Sequence, residues 1–223
     1  MTTATPTSLR ASLRLWQLIS PSLPVGAYAY SSGLEQVVET GRVRSERDAA
    51  EWIEGVLHGL ARTDLPILLR VHGAVAARDL DEAIEWCRTL VAMRETAELR
   101  AADRHMGQAL ACLLEDLGLP MPRCDWPFAG AYAFGAAHGG VSAVLAAAGY
   151  AWAWCESHVA AAIKLVPLGH TAGQRILLGL GPAIEAAVAR ACALGDDDIG
   201  YGMPGFAIAS ARHETQHTRL FRS

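Results

Sequence analysis

Ser45-Glu-Arg-Asp-Ala-Ala-Glu-Trp-Ile-Glu-Gly-Val-Leu-His-Gly-Leu60 decides the fold class. Ser45 with Asp48 three residues on is the pattern of a helix N-terminus, where a side-chain oxygen accepts from an otherwise orphaned backbone N–H. Behind it Trp52, Ile53, Val56, Leu57 and Leu60 recur at helical spacing, so one face is apolar. The same period appears on both sides. Leu9, Leu13, Trp16 and Ile19 carry a helix into Pro21, and Asp64 with Pro66 starts another bearing Leu68, Leu69, His72, Val75 and Ala76. Leu80, Ile84, Cys87 and Val91 mark the next helix. Leu99, Met106, Leu110, Leu113, Leu114 and Leu117 form a long stripe that Gly118 and Pro120 end.

The Ala-rich second half predicts two longer helices, roughly 138–166 and 171–194, hinged at Pro167-Leu-Gly169, with Pro182 kinking the second or marking a boundary. An acidic, glycine-rich loop follows at 196–205, then a short helix over about 206–212. Alternating strand patterns are nearly absent, and no polar linker divides the chain. The expectation is an all-α, single-domain multi-helix bundle over residues 9–211. A disordered N-terminal segment, 1–8, and a flexible C-terminal tail, 212–223, flank it.

Of the 223 residues 52% are hydrophobic and 19% charged, which suits a large core and argues against global disorder. The net charge is −4 with no run of Lys or Arg, which argues against nucleic-acid binding. Five widely spaced cysteines without a Cys-x-x-Cys pair read as reduced thiols, most of them small core residues, in a cytosolic protein. The first residues lack the basic start and apolar run of a secretion signal. Between Trp126 and Cys155 only His138 is titratable among acidic and basic types, and the length would span a bilayer. Its Ala and Gly content and the Gly139-Gly140 break argue instead for close helix packing in an interior or a subunit interface, with no membrane role.

Both ends of the chain are unusual. Ser20 to Glu35 has no charge before Glu35. It carries Pro21 and Pro24, which favour extended or turn backbone, a turn-permitting Gly26, and Tyr28 and Tyr30 as apolar rings with polar tips. At the other end Leu220 and Phe221 stand between Arg219 and Arg222, two apolar anchors flanked by fork-shaped donors. Lys164 is the one lysine in the chain. It lies among Ala161, Ala162, Ile163, Leu165 and Val166, as a cation presented on an apolar surface.

Catalytic patterns are weak. His213-Glu-Thr-Gln-His217 matches His-Glu-x-x-His, in which two imidazoles one helical turn apart hold zinc and the Glu works on bound water. Only six residues follow it, so a third ligand has to come from upstream. A zinc-dependent hydrolase is the alternative this motif keeps open, with His213 and His217 as weak metal candidates. Asp196, Asp197 and Asp198 lack the spacing of a Ca²⁺ loop, and no Gly-x-x-x-x-Gly-Lys-Ser/Thr phosphate cradle occurs. His58, His72, His105 and His138 read as locally satisfied helix-face groups, and His158 and His170 as interface polar groups.

Three blocks carry a resemblance: Leu23-Pro-Val-Gly-Ala-Tyr-Ala-Tyr-Ser-Ser-Gly-Leu-Glu35, Lys164-Leu-Val-Pro-Leu-Gly-His-Thr-Ala-Gly-Gln174, and Arg212-His-Glu followed by Arg219-Leu-Phe-Arg-Ser223. In this order the chain resembles the urease accessory protein UreF family from about Leu13 onward, departing at His170, where Gln is often expected. The resemblance implies a non-enzymatic, cytoplasmic helical homodimer that binds the accessory protein UreD (also called UreH) and recruits the GTPase UreG. The assembly delivers nickel to apo-urease in a GTP-dependent step, with no stably bound cofactor and at most transient Ni²⁺ on this chain. Its implied partner-binding residues are Pro24, Gly26, Tyr28, Tyr30, Glu35, Lys164, Gln174, Arg212, His213, Arg219, Leu220, Phe221 and Arg222.

Overall fold

The computed structural model describes residues 8–223, so the expectation for 1–8 lies outside the described residues except at Ser8. The Ser8 hydroxyl accepts from the Ala11 N–H at 3.2 Å and caps α1 (Leu9–Leu18). Ten further helices follow among the described residues: α2 (Leu34–Glu39), α3 (Glu46–Leu60), α4 (Asp64–Ala77), α5 (Leu80–Ala92) and α6 (Ala97–Asp116), then α7 (Phe128–His138), α8 (Ala143–Leu165), α9 (His170–Gly179), α10 (Gly181–Ala193) and α11 (Pro204–His213). No strand is present among the described residues. The all-α expectation holds, and Ser45 caps α3 as its sequence predicts, accepting from the Asp48 N–H at 3.2 Å.

α4 and α7 form the centre. α4 packs on α5, α7, α8 and α10, and α7 is wedged between α4 and α6 with every residue from Ala129 to Ala136 buried. A helix apolar on all sides belongs inside, and its small side chains set how closely its neighbours come. A methyl built on Gly130 would lie 2.6 Å from Cys87 Sγ of α5. Much of the uncharged 126–155 stretch therefore lies in the core, with Val144 and Trp152 among its exposed residues.

Several sequence expectations need correction. No helix is expected where α7 stands, and the helix expected over roughly 138–166 starts later, at Ala143. Gly139 caps α7, Gly140 turns at φ +71°, and Ser142 starts α8 by accepting from the Leu145 N–H. The stripe Leu9, Leu13 and Trp16 faces outward, because α1 meets the core through Ala11 and Leu18. Of the cysteines, Cys87 and Cys155 are buried, Cys124 is partly so, and Cys112 and Cys192 are exposed. Pro182 does mark a boundary: α9 and α10 meet at Leu180. Residues His170–Ala193 are long and apolar enough to cross a membrane by length and mean hydropathy (1.5). In the fold they are two helices, with Ile176, Leu177, Ile184 and Val188 buried.

The core contains a charge cluster the sequence reading missed. Arg94, in the α5–α6 connection, donates from Nη1 and Nη2 to the two oxygens of Asp64 at 3.0 and 2.6 Å. Its Nε donates to Asp103 Oδ2 at 2.9 Å. Tyr150 of α8 donates to Asp64 at 3.2 Å, and the backbone N–H of Phe128, which opens α7, donates to Asp103 at 2.9 Å. Asp103 thus caps a helix whose own N-cap is Pro127, which has no side chain able to do so. Burial alone would raise the Asp64 carboxyl; the charge and hydrogen bonds of Arg94, with those from Thr63 and Tyr150, outweigh it and hold Asp64 below the ordinary carboxylate range.

Removing one member of a buried ion pair leaves an uncompensated charge, so Arg94→Ala is expected to cost about 3–5 kcal/mol in urea unfolding. Because the Asp64 carboxyl is depressed in the fold, its contribution is complete above the unfolded value of about 3.9 and is lost as pH falls through the folded value. Acid titration of stability should therefore show a steeper loss below about pH 4 in wild type than in Asp64→Asn. An Arg94→Ala protein as stable as wild type would remove the cluster from any role in stability.

Candidate functional site

The two unusual ends of the sequence meet. Ser32 has positive φ (+50°), and Gly33 follows at φ +81°. A side chain on Gly33 would be strained there and would press within 3.0 Å of the Ser210 backbone nitrogen of α11. The close approach lets α2 start directly beneath α11, with Glu35 in its first turn pointing at the C-terminal segment.

Glu35 is 6% exposed and fully engaged. Its Oε1 accepts from the Leu220 N–H at 2.6 Å, and its Oε2 from the Phe221 N–H at 2.9 Å and from His213 Nε2 at 3.1 Å. The other His213 nitrogen, Nδ1, lies 2.9 Å from Oε2 of Glu98, in the first turn of α6. His213 is wholly buried, with one ring nitrogen facing each of the two carboxylates. Arg219 Nη1 adds a 3.0 Å bond to Glu98. The hydroxyls of Thr96, the N-cap of α6, and Ser210 are 2.7 Å apart.

The last residues close the arrangement. The Arg222 N–H donates to the Ala29 carbonyl at 2.8 Å, and the Ser223 carbonyl accepts from the Ser31 hydroxyl at 2.7 Å and from the Ser32 N–H at 3.0 Å. Phe221 is 6% exposed, and Lys164 Nζ stands 5.7 Å from its ring centroid, a cation over an aromatic face. Burying such a ring is worth about 1.5–3 kcal/mol, which here holds the tail to its own domain.

The expected contact residues separate into two sets. Glu35, His213, Arg219, Phe221 and Lys164 come together as a clasp within the chain, with Glu35, His213 and Phe221 buried and Arg219 and Lys164 on its exposed side. The expectation of a flexible tail over 212–223 is corrected: α11 runs to His213, and Phe221 and Ser223 are buried. Glu35 does not face outward, and Tyr30 is buried with its hydroxyl 3.3 Å from His105 Nδ1. The second set remains exposed: Pro24, Tyr28, Arg212, Leu220 and Arg222, with Gln174 on α9 away from the clasp. Gly26 turns at φ +73°, as a glycine there predicts. His213 and His217 form no metal pair, because α11 ends at His213, whose nitrogens are both engaged, while His217 is exposed beyond it. No group of three His, Cys, Asp or Glu side chains is arranged to hold a metal ion among the described residues. Sequence reasoning missed Glu98, Ser31 and Thr96. Thr96 followed by Glu98 shows a helix start, but nothing local reveals a partner more than 100 residues away.

Relatives match this chain in sequence over nearly its whole length. The family model described as UreF matches residues 43–181. The urease accessory protein UreF of Alkalilimnicola ehrlichii is 52% identical over 219 residues, covering 96% of each chain. Those of Hahella chejuensis and Azoarcus sp. are 44% and 48% identical, covering 96% and 95% of this chain and 98% and 95% of theirs.

Hydrogen bonds to a charged group are worth about 1.5–3 kcal/mol, and Glu35 accepts three. Glu35→Ala should therefore free the tail while leaving the helices in place. The expected outcome is rapid trypsin cleavage at Arg219 and Arg222 with an unchanged far-ultraviolet spectrum. Cleavage as slow as in wild type would show that Phe221 burial alone retains the tail.

Proposed function

The chain belongs to the UreF family of urease accessory proteins, and from that premise we propose that it is a non-catalytic scaffold that assembles the complex loading nickel into apo-urease. The family places it in urease maturation. In the proposed assembly it bridges UreD/UreH and the GTPase UreG as a cytoplasmic homodimer. Nickel is cargo of the whole complex, bound at most transiently to this chain.

The observation that carries the scaffold reading is the clasp. It fixes the two ends of the chain as one rigid surface from which Tyr28 (69% exposed) and Leu220 (65% exposed) project, with Arg222 beside them in sequence. Rigid aromatic and aliphatic anchors ordered before binding save the conformational entropy that a free tail would lose. The hydrolase alternative is not favoured: the two histidines of its motif are held apart, one buried and one exposed. Pro24, Arg212 and Gln174 are exposed members of the same proposed contact set.

Truncating the tail is a poor test, because loss of His213 and Arg219 would strip Glu35 and Glu98 of their partners. Leu220→Asp and Tyr28→Ala act on exposed side chains instead. Each is expected to weaken co-purification with UreD/UreH or UreG by tenfold or more at unchanged thermal stability. In cells carrying the urease operon, loss of this chain should leave urease nickel-poor, and re-expression should restore its nickel content. Equal nickel loading with and without the chain would refute the maturation role, and undiminished complex formation by both variants would refute this contact surface.

A further inference from the structure

A cavity of about 310 Å³ lies beside the clasp, between the 18–32 segment, the facing ends of α3 and α4, α8, and residues 201–206. Tyr28, Tyr30, Tyr150, Trp154, Tyr201 and Phe206 line it, and its floor is the Asp64–Arg94–Asp103 cluster. Tyr28 and Tyr201 are half exposed or more and stand where the cavity meets solvent.

Its charge does not balance. Asp64, Glu95, Asp103 and Glu156 contribute four carboxylates to the lining, against the single guanidinium of Arg94. Arg62 stacks its guanidinium 5.0 Å from the Tyr201 ring centroid at the edge and offsets one more. His158 adds no charge at neutral pH, since burial pushes its imidazole down to about 4. Its Nε2 has no hydrogen-bond partner. Burial also raises the Glu156 carboxyl. Aromatic faces, excess negative charge and an apolar wall together favour a cation on an apolar stem over a hydrated ion or an anion. The volume admits a long side chain with an apolar neighbour. The carboxylates are spread over separate elements, and no metal-holding group exists among the described residues, so a bare metal ion does not fit.

We propose that this cavity docks an arginine or lysine side chain carried on an apolar segment of a partner protein. The inference rests on the scaffold reading and names the chemistry one partner must present. Arg62 over Tyr201 shows the same cation–aromatic contact already made at the rim. The Arg94 guanidinium spans Asp64 and Asp103, whose oxygens are all engaged, so the lining carboxylates left to meet an incoming cation are those of Glu95 and Glu156.

The test uses the full chain and three probes of equal alkyl length: n-hexylguanidinium, hexan-1-ol and hexanoate. Trp154 is in the wall, and its fluorescence or indole proton shift reports occupancy. Hexylguanidinium is expected to bind at least tenfold tighter than hexanol, with no saturation by hexanoate. Ala153→Phe, which fills the cavity wall, should weaken guanidinium binding tenfold or more, and Glu156→Gln about threefold. Should Ala153→Phe not fold, Glu156→Gln with Glu95→Gln decides. Hexanoate binding as well as hexylguanidinium, or indifference to all these variants, would overturn the site. The same variants should weaken co-purification with UreD/UreH or UreG. Intact complexes from variants that no longer bind hexylguanidinium would overturn the partner assignment. Nickel loading of urease by wild type, read separately, reports on the maturation role and does not depend on this cavity.

Discussion

Arg94 must sit where Asp64 and Asp103 can both reach it, and that requirement sets the position of four helices. Asp64 opens α4, Asp103 lies on α6, Tyr150 reaches in from α8, and the first N–H of α7 closes on Asp103. A buried guanidinium has five donors with directional demands, whereas apolar packing accepts many rotations of a helix about its axis. The Ala- and Gly-rich surfaces of α7 and α8 could slide against α4 and α6 with little change in buried area. The charge cluster admits one register.

The clasp, which takes in Thr96 and Glu98 just beyond Arg94 in the chain, follows the same logic on a smaller scale. Glu35, buried at the start of a six-residue helix, is stabilised only because His213, Leu220 and Phe221 bring donors to it. Glu98 is stabilised because His213 and Arg219 do the same. Neither carboxylate would be tolerated at this depth without the C-terminal segment, and that segment has little to hold it without them. The ends of the chain are thus mutually dependent, with Lys164 over Phe221 as the outer cover.

Segment 18–35 joins the two features. On one side it carries Ser31, Ser32 and Glu35 into the clasp; on the other it contributes Tyr28 and Tyr30 to the cavity wall. Movement of the tail would reach the cavity through these few residues, since Tyr30 is locked to His105 and Ala29 to Arg222. A scaffold that meets more than one protein gains from such an arrangement, because one short uncharged stretch presents surface to two neighbouring sites.

Helical class, most helix boundaries and the family were legible in the sequence. Caps such as Ser45, apolar periodicity and breakers such as Pro182 act within a few residues of themselves. α7 escaped because a helix apolar on all faces has no amphipathic period to detect, and the outward face of α1 because periodicity shows a stripe without showing what covers it. The peculiar ends of the chain were also visible as uncharged or aromatic segments in polar company. That they bind each other was not. Only the tertiary structure decided that Glu35 is an internal acceptor, that Phe221 is buried, and that Arg94 serves two aspartates. Each of these rests on hydrogen bonds or contacts between groups remote in sequence, and a side chain's charge and size do not say which distant donor will fold to meet it.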